Sequence, residues 1–178
     1  MTVELDTDRL LRPWRVVEAH IQRELWTERD PRVPPHRRID PEGHPTVAEF
    51  EQRIHASLPS STGLLAVERK TTGDVIGHCG LVDGERAAEP ELAYELLRRA
   101  WGQGYATEAS AAVLDWARSS GYRRVWVTVW DWNTASRRVP AKLGFTETGA
   151  GTWTRSTGPP CSPRERSEVS RWRGPGWR

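Results

Sequence analysis

The segment "ELAYELLRRA" runs straight into "WGQGYATEA", and this junction restricts the folds open to the chain more than any other stretch. From Glu91 to Leu97 the residues alternate, with Leu92, Tyr94 and Leu96 on one side and Glu91, Ala93 and Glu95 on the other. That is the two-residue period of a strand with a carboxylate-bearing face. A few residues later the period becomes helical, predicting a helix from about Tyr105 to Ser120 that stops at Gly121. A further strand reads at "RRVWVTVWDWN". Strand, helix, strand requires a right-handed crossover and at least one parallel strand pair. Between strand and helix, Gly102 and Gly104 flank Gln103. Two readings stand. The glycines allow a tight turn, or they leave room for an anion against the first N–H groups of the helix, which lack intrahelical partners and sit at its positive end. A third glycine is missing at Thr107, and no Gly-Lys-Ser/Thr follows, so neither a dinucleotide fingerprint nor a Walker loop is present.

The remainder supplies elements for one mixed sheet. "LDTDRLLRPW", Leu5 to Trp14, reads as a first strand, and Arg15 to Glu28 as a helix with Val17, Ile21 and Leu25 on one face. Arg29 to Pro45, crowded with Pro, Arg and His, reads as a loop long enough to shape a substrate site. Thr46 and Glu49 have capping-box spacing ahead of Val47, Phe50, Ile54 and Leu58. "GLLAVERK" and "VIGHCGLVD" flank a Gly-containing turn and predict a hairpin. "TASRRVPAKLG" predicts a helix ending at Gly144, and "FTETGAGTWTRS" a last hairpin. The fold class expected is α/β (α+β): a mixed, mostly antiparallel sheet with helices on both faces. One domain is expected over residues 1–155, large enough for a single core.

Charge separates the tail from the rest. Lys plus Arg number 26 and Asp plus Glu 24, a balance that gives no argument for nucleic acid or a membrane surface. Residues 156–178 hold five Arg against two Glu, and 11 of the 23 are Gly, Pro or Ser, a composition expected to be disordered. Its Arg and Trp make it the one segment suited to nucleic acid. No run of about 18 apolar residues and no basic-then-apolar leader is present, so a cytoplasmic protein is expected. Cys79 and Cys161 lie in unlike surroundings, which argues against a disulfide framework or a zinc site; no metal is expected.

Three segments carry a family resemblance. "RRAWGQGYATEA" resembles motif A of the GNAT superfamily of N-acetyltransferases, Arg/Gln-x-x-Gly-x-Gly/Ala, through Arg99, Gly102 and Gly104. "NTASRRVPAKLGF" is similar to a second signature of the ribosomal-protein-alanine (RimJ/RimL-like) branch, through Asn133, Ser136, Lys142, Gly144 and Phe145. "TDRLLRPW" is similar to that branch's opening, one residue shorter. The resemblance implies a splayed sheet with acetyl-coenzyme A as cosubstrate in the wedge between the strands at Glu91 and at Arg123. It implies a pyrophosphate held by the backbone of Arg99, Trp101, Gly102, Gln103, Gly104, Tyr105 and Ala106. The pantetheine arm would run along Leu96 and Leu97, with Asn133 nearer the thioester. A homodimer is left open.

Acetyl transfer to a primary amine needs a neutral amine, an oxyanion donor and a proton for the departing thiolate. Glu91 and Glu95, on one face of the strand, are the candidate bases; each also reads as a solvated or ion-paired carboxylate. Many members of the superfamily place a Tyr four residues before the Gly-Phe glycine, where this chain has Pro140. Ser136 is therefore the candidate proton donor, and its other reading is a helix-start hydroxyl bonded to backbone. Pro140 within the helix is expected to cost ~3 kcal/mol and to kink it. Trp126, Trp130 and Trp132 alternate as if on one side of a strand. The acceptor, a protein N-terminus or a small amine, is not legible, and a cosubstrate-binding sensor without catalysis is the alternative.

Overall fold

The computed structural model describes residues 3–4, 9–57, 62–84, 89–149 and 151–157. Its strands are β1 (Val3–Glu4), β2 (Arg9–Arg12), β3 (Gly63–Arg69), β4 (Val75–Val82), β5 (Glu91–Leu96), β6 (Arg124–Thr128), β7 (Thr146–Gly149) and β8 (Thr152–Ser156). They form one sheet in the order β1-β2-β3-β4-β5-β6-β8-β7, and among the described strands β5–β6 is the only parallel neighbouring pair. The helices are α1 (Ala19–Thr27), α2 (Val47–Ala56), α3 (Tyr105–Ser119) and α4 (Thr134–Lys142). The expected class is the observed one, with α3 crossing from β5 to β6 and α4 from β6 to β7, and β6 and β7 both run antiparallel to the β8 between them. None of the described helices is long and apolar enough to cross a membrane.

Each sheet face has its own cover. Leu81, Leu92 and Leu96 pack with Val113 and Leu114 of α3 and with Val125 and Val127 of β6. Burying each such side chain contributes about 1.5–3 kcal/mol, and this face holds most of the core. The opposite face takes α1 and α2, joined to each other by the edge-to-face contact of Trp26 and Phe50. The box at α2 forms as expected: Thr46 Oγ1 accepts from the Glu49 N–H and the Glu49 carboxylate accepts from the Thr46 N–H.

Four expectations change. The strand expected over Leu5 to Trp14 is described only as β2, Arg9–Arg12, and β1, which precedes that segment, pairs antiparallel to it. Val17 lies in a 3-10 turn before α1 and is 77% exposed, so it does not share the face of buried Leu25. β6 ends at Thr128, which leaves Trp130 and Trp132 beyond it, stacked with centroids 6.4 Å apart. β8 runs through Ser156 and Thr157 donates its N–H to the Arg123 carbonyl, so the sheet outlasts the break in composition. The tail proper, 158–178, lies outside the described residues, as does Leu58.

The parallel pair positions the site. β5 and β6 are in register at one position, Glu91 opposite Trp126. The Trp126 N–H donates to the Pro90 carbonyl, whereas the Leu97 N–H points the other way, to Ile76 on β4. By alternation, Leu92, Tyr94 and Leu96 turn their backbone groups toward β6. The next N–H on β6 that faces β5, from Thr128, donates to Glu91 Oε1 at 3.1 Å. A side-chain carboxylate stands where a continuing ladder would offer a carbonyl. Beyond it the strands part, and a wedge opens toward their C-terminal ends.

Candidate active site

The mouth of the wedge is the glycine loop. Gly102 and Gly104 have φ of 74° and 84°, left-handed values that a side chain disfavours, and a Cβ on either would meet nothing within 4 Å. Gly104 is the N-cap of α3 and supplies no side-chain cap, so the first N–H groups of a 15-residue helix face open space at its positive end. Around this cradle side chains hold the loop in shape. Trp101 Nε1 donates to the Leu96 carbonyl at 2.6 Å, Gln103 Nε2 to the Arg99 carbonyl, and the Tyr105 hydroxyl to Gln103 Oε1. Arg99 pairs with Glu24 on α1. The cradle offers a phosphate N–H donors at the positive end of a helix, with open space beside both glycines.

On the α3 and α4 side, Tyr94 reaches from β5 to the start of α4. Its hydroxyl donates to the Ser136 carbonyl at 2.9 Å and accepts from Ser136 Oγ at 3.0 Å. Asn133 caps α4, its Oδ1 accepting from the Ser136 N–H. Pro140 sits inside the helix and is buried. Having no N–H, it leaves the carbonyl four residues back, that of Ser136, without its helical donor. The Tyr94 hydroxyl fills that vacancy, which is why the helix continues through to Lys142.

On the α1 and α2 side the strand carboxylates are engaged. Arg29 Nε and Nη2 donate to the two Glu95 oxygens at 2.7 and 2.5 Å, and Arg29 Nη1 donates to the Arg37 carbonyl. Burial by itself raises the Glu95 carboxyl, but the Arg29 hydrogen bonds and the nearby His78 and arginines outweigh it and hold the group below its ordinary range. His78 Nε2 lies 3.9 Å from Glu95 Oε2, and its ring meets Trp14 edge-on. Beside these residues a cleft of about 330 Å³ is lined by Arg37, Glu89, Glu91, Trp126, Thr128 and Trp130.

Burial pushes the His78 imidazole down to about 4, with Glu95 opposing and Arg29 and Arg37 reinforcing. Its folded value lies below the ordinary 6.5, so between the two the unfolded chain binds a proton that the folded one refuses. Stability is then greatest above about pH 6.5 and is lost as pH falls toward about 4, by on the order of 2–3 kcal/mol. His78→Asn is expected to flatten this slope. Urea midpoints between about pH 4.5 and 7.5 would test it, and an unaltered slope contradicts a buried neutral imidazole.

The family model for the acetyltransferase (GNAT) domain matches residues 9–146. The chain belongs to the GNAT acetyltransferase family. It is 31% identical over 151 residues to the uncharacterized N-acetyltransferase p20 of Bacillus licheniformis, 82% of this chain and 83% of that one. It is 37% identical to YkkB of Bacillus subtilis (strain 168) over 85 residues, 46% of this chain and 49% of that protein. Among solved structures, RimJ of Mycobacterium smegmatis in complex with CoA-disulfide superposes with a TM-score of 0.65 at 20% identity, covering 88% of this chain and 87% of that one. A mutant of the spermidine N-acetyltransferase SpeG from Vibrio cholerae also gives 0.65, at 15% identity, covering 84% and 94%. The likeness is one of fold, and it does not single out the RimJ/RimL-like branch.

In this GNAT domain the residues marked in the sequence take definite places. Gly102, Gln103, Gly104, Tyr105 and Ala106 form the mouth with Arg99 and Trp101, and Asn133 and Ser136 lie together at the start of α4. Glu91 is at the closed end of the wedge and Glu95 four residues on, under Arg29. Leu97 has its N–H on Ile76 and its carbonyl on the Ala100 N–H, and the Leu96 carbonyl is taken by Trp101, so these two offer less backbone to the wedge than Tyr94 does. Sequence reasoning did not mark Tyr94, Arg29 or His78. A signal for the first existed, since a proline four residues after Ser136 announces a carbonyl in need of a donor. Cys79 is buried 3.6 Å from Ser110 Oγ, and burial pushes its thiol up to about 12, which leaves it inert.

Proposed function

We propose that this GNAT domain is an N-acetyltransferase that moves acetyl from acetyl-coenzyme A directly to a primary amine, a small amine or a protein N-terminus. The observation that carries the reading is the wedge. Its β5–β6 ladder stops after one pair, and its mouth is an uncapped helix start behind two left-handed glycines. A pyrophosphate would rest on the backbone of residues 99–106, and the pantetheine arm would bond the groups of β5 that face β6. The RimJ structure with CoA-disulfide supports this choice of cosubstrate.

The acceptor enters from the α1 and α2 side through the cleft at Glu91, Trp126 and Trp130. Its nitrogen lone pair attacks the thioester carbon while the carbonyl electron pair moves to oxygen, where a backbone N–H of β5 stabilises it. One proton leaves the nitrogen for Glu91, whose second oxygen stays available because only Oε1 serves Thr128. Collapse breaks the C–S bond, its electrons go to sulfur, and sulfur takes the Ser136 Oγ proton. Ser136 is restored by a proton from solvent and Glu91 returns its own to solvent, so one proton in total passes from nitrogen to sulfur. Glu95 is a poor base here, because Arg29 holds both its oxygens. Glu91→Gln is expected to lower kcat at neutral pH by about 100-fold with little change in the KM for acetyl-coenzyme A, read by steady-state thiol release.

A second reading, a cosubstrate sensor without turnover, is favoured by that closed Glu95. Calorimetry with acetyl-coenzyme A, paired with thiol release over spermidine, an aminoglycoside and a peptide with a free N-terminal alanine, separates the two. Binding with release supports the enzyme, and binding without release over the whole panel supports the sensor. No binding at all overturns both.

A further inference from the structure

We propose that Tyr94 is the positioning residue for the Ser136 hydroxyl, and that Pro140 gives it that place by withdrawing the helical donor from the Ser136 carbonyl. The inference rests on the reading of Ser136 as the donor to the thiolate. Both oxygens of Ser136 lie near one phenolic oxygen, the carbonyl at 2.9 Å and Oγ at 3.0 Å. The Tyr94 O–H points at the carbonyl and the Ser136 hydroxyl points at the phenol. Asn133 fixes the backbone N–H of the same residue. Every polar group of Ser136 is thus held on a half-buried frame that spans β5 and α4, on either side of the opening between β5 and β6.

The arrangement can respond to proton loss without any heavy atom moving. As Ser136 Oγ gives its proton to sulfur, negative charge grows on that oxygen. Rotation about the phenol C–O bond carries the Tyr94 O–H from the carbonyl to Oγ and stabilises the charge. Afterwards Oγ regains a proton from solvent and the phenol turns back, so both side chains end as they began. Burial pushes the phenol up to about 12 against the Ser136 hydrogen bond, so Tyr94 is protonated at rest and has an O–H to turn toward Oγ.

A merely structural tyrosine and a positioning one are told apart through Pro140. In Pro140→Ala the new N–H satisfies the Ser136 carbonyl, and the helix no longer needs the phenol. Tyr94→Phe should lower the melting temperature and reduce kcat about 10-fold or more, with the KM for acetyl-coenzyme A within about threefold. Tyr94→Phe with Pro140→Ala should recover the melting temperature, yet its kcat should stay about 10-fold below that of Pro140→Ala alone. The assay uses acetyl-coenzyme A with the panel amine that gives the fastest release, and Ser136→Ala runs beside it. If Ser136→Ala is impaired while the double variant equals Pro140→Ala, Tyr94 only completes the helix and the proposal fails. If the unaltered chain releases no thiol, or Ser136→Ala matches it, the donor reading itself fails and the inference falls with it.

Discussion

Gly104→Asp is expected to weaken acetyl-coenzyme A binding at least about 100-fold, or about 2.7 kcal/mol, while the protein stays folded. The backbone at 104 is left-handed with φ of 84°, and space around a Cβ there is open. An L side chain at such a position costs roughly 1–2 kcal/mol, at the lower end for Asp, which tolerates this conformation. The new carboxylate also meets the positive end of α3, so helix stability offsets part of the strain. For a domain of this size the melting temperature should fall by only a few degrees. Binding has no such compensation. The carboxylate occupies the cradle and repels the pyrophosphate across a gap that water no longer fills. Calorimetry on a variant with unaltered circular dichroism is the measurement, and an unchanged affinity would remove the loop from the site. Gly104→Ala should fall between the two, because it adds strain and bulk without charge.

The largest effect on stability is expected at Arg12. Its guanidinium is nearly inaccessible and serves two carboxylates, donating to Glu68 through Nε at 2.6 Å and to Glu18 through Nη1 and Nη2 at 2.9 and 2.5 Å. The acidic partners are themselves only 10% and 13% exposed at the side chain. Arg15 approaches both at 3.9 Å but is 62% exposed, too solvated to take over. Arg12→Leu therefore leaves two buried negative charges without their cation, a loss of about 3–5 kcal/mol. That corresponds to a melting temperature lower by about 10 °C. Adding Glu18→Gln and Glu68→Gln should return much of it, since the penalty belongs to the orphaned charges and not to the missing arginine. A triple variant no more stable than Arg12→Leu would place the effect in packing instead. The shortened "TDRLLRPW" opening thus puts Leu11 and Arg12 both inside, a state that the two acids make tolerable.

Local chemistry made much of the architecture readable. The Thr46 and Glu49 box, the hairpin of β3 and β4, the alternation of β5 and the glycine stops after α3 and α4 are all short-range patterns, and each reappears at its expected place. The features that decide chemistry are long-range. Arg29 meets Glu95 across 66 residues and Tyr94 meets Ser136 across 42, and no periodicity encodes such pairings. Glu95 looked like Glu91 because a strand presents both on one face; only the loop folded over that face distinguishes them. Pro140 looked like a kink in α4 for a related reason. The lost hydrogen bond was legible, but the replacement donor came from another element.

Opening a sheet in its middle also carries a hazard, since unpaired strand edges invite pairing with other chains. In this molecule the two exposed edges face each other across a narrow gap that is stoppered at both ends, by the Glu91 carboxylate at the vertex and the Trp101 indole on the last carbonyl of β5. A foreign strand would have to displace both, whereas a slender thioester arm need displace only the indole. The Glu91 carboxylate and the Trp101 indole therefore cap the two facing edges against pairing with another chain.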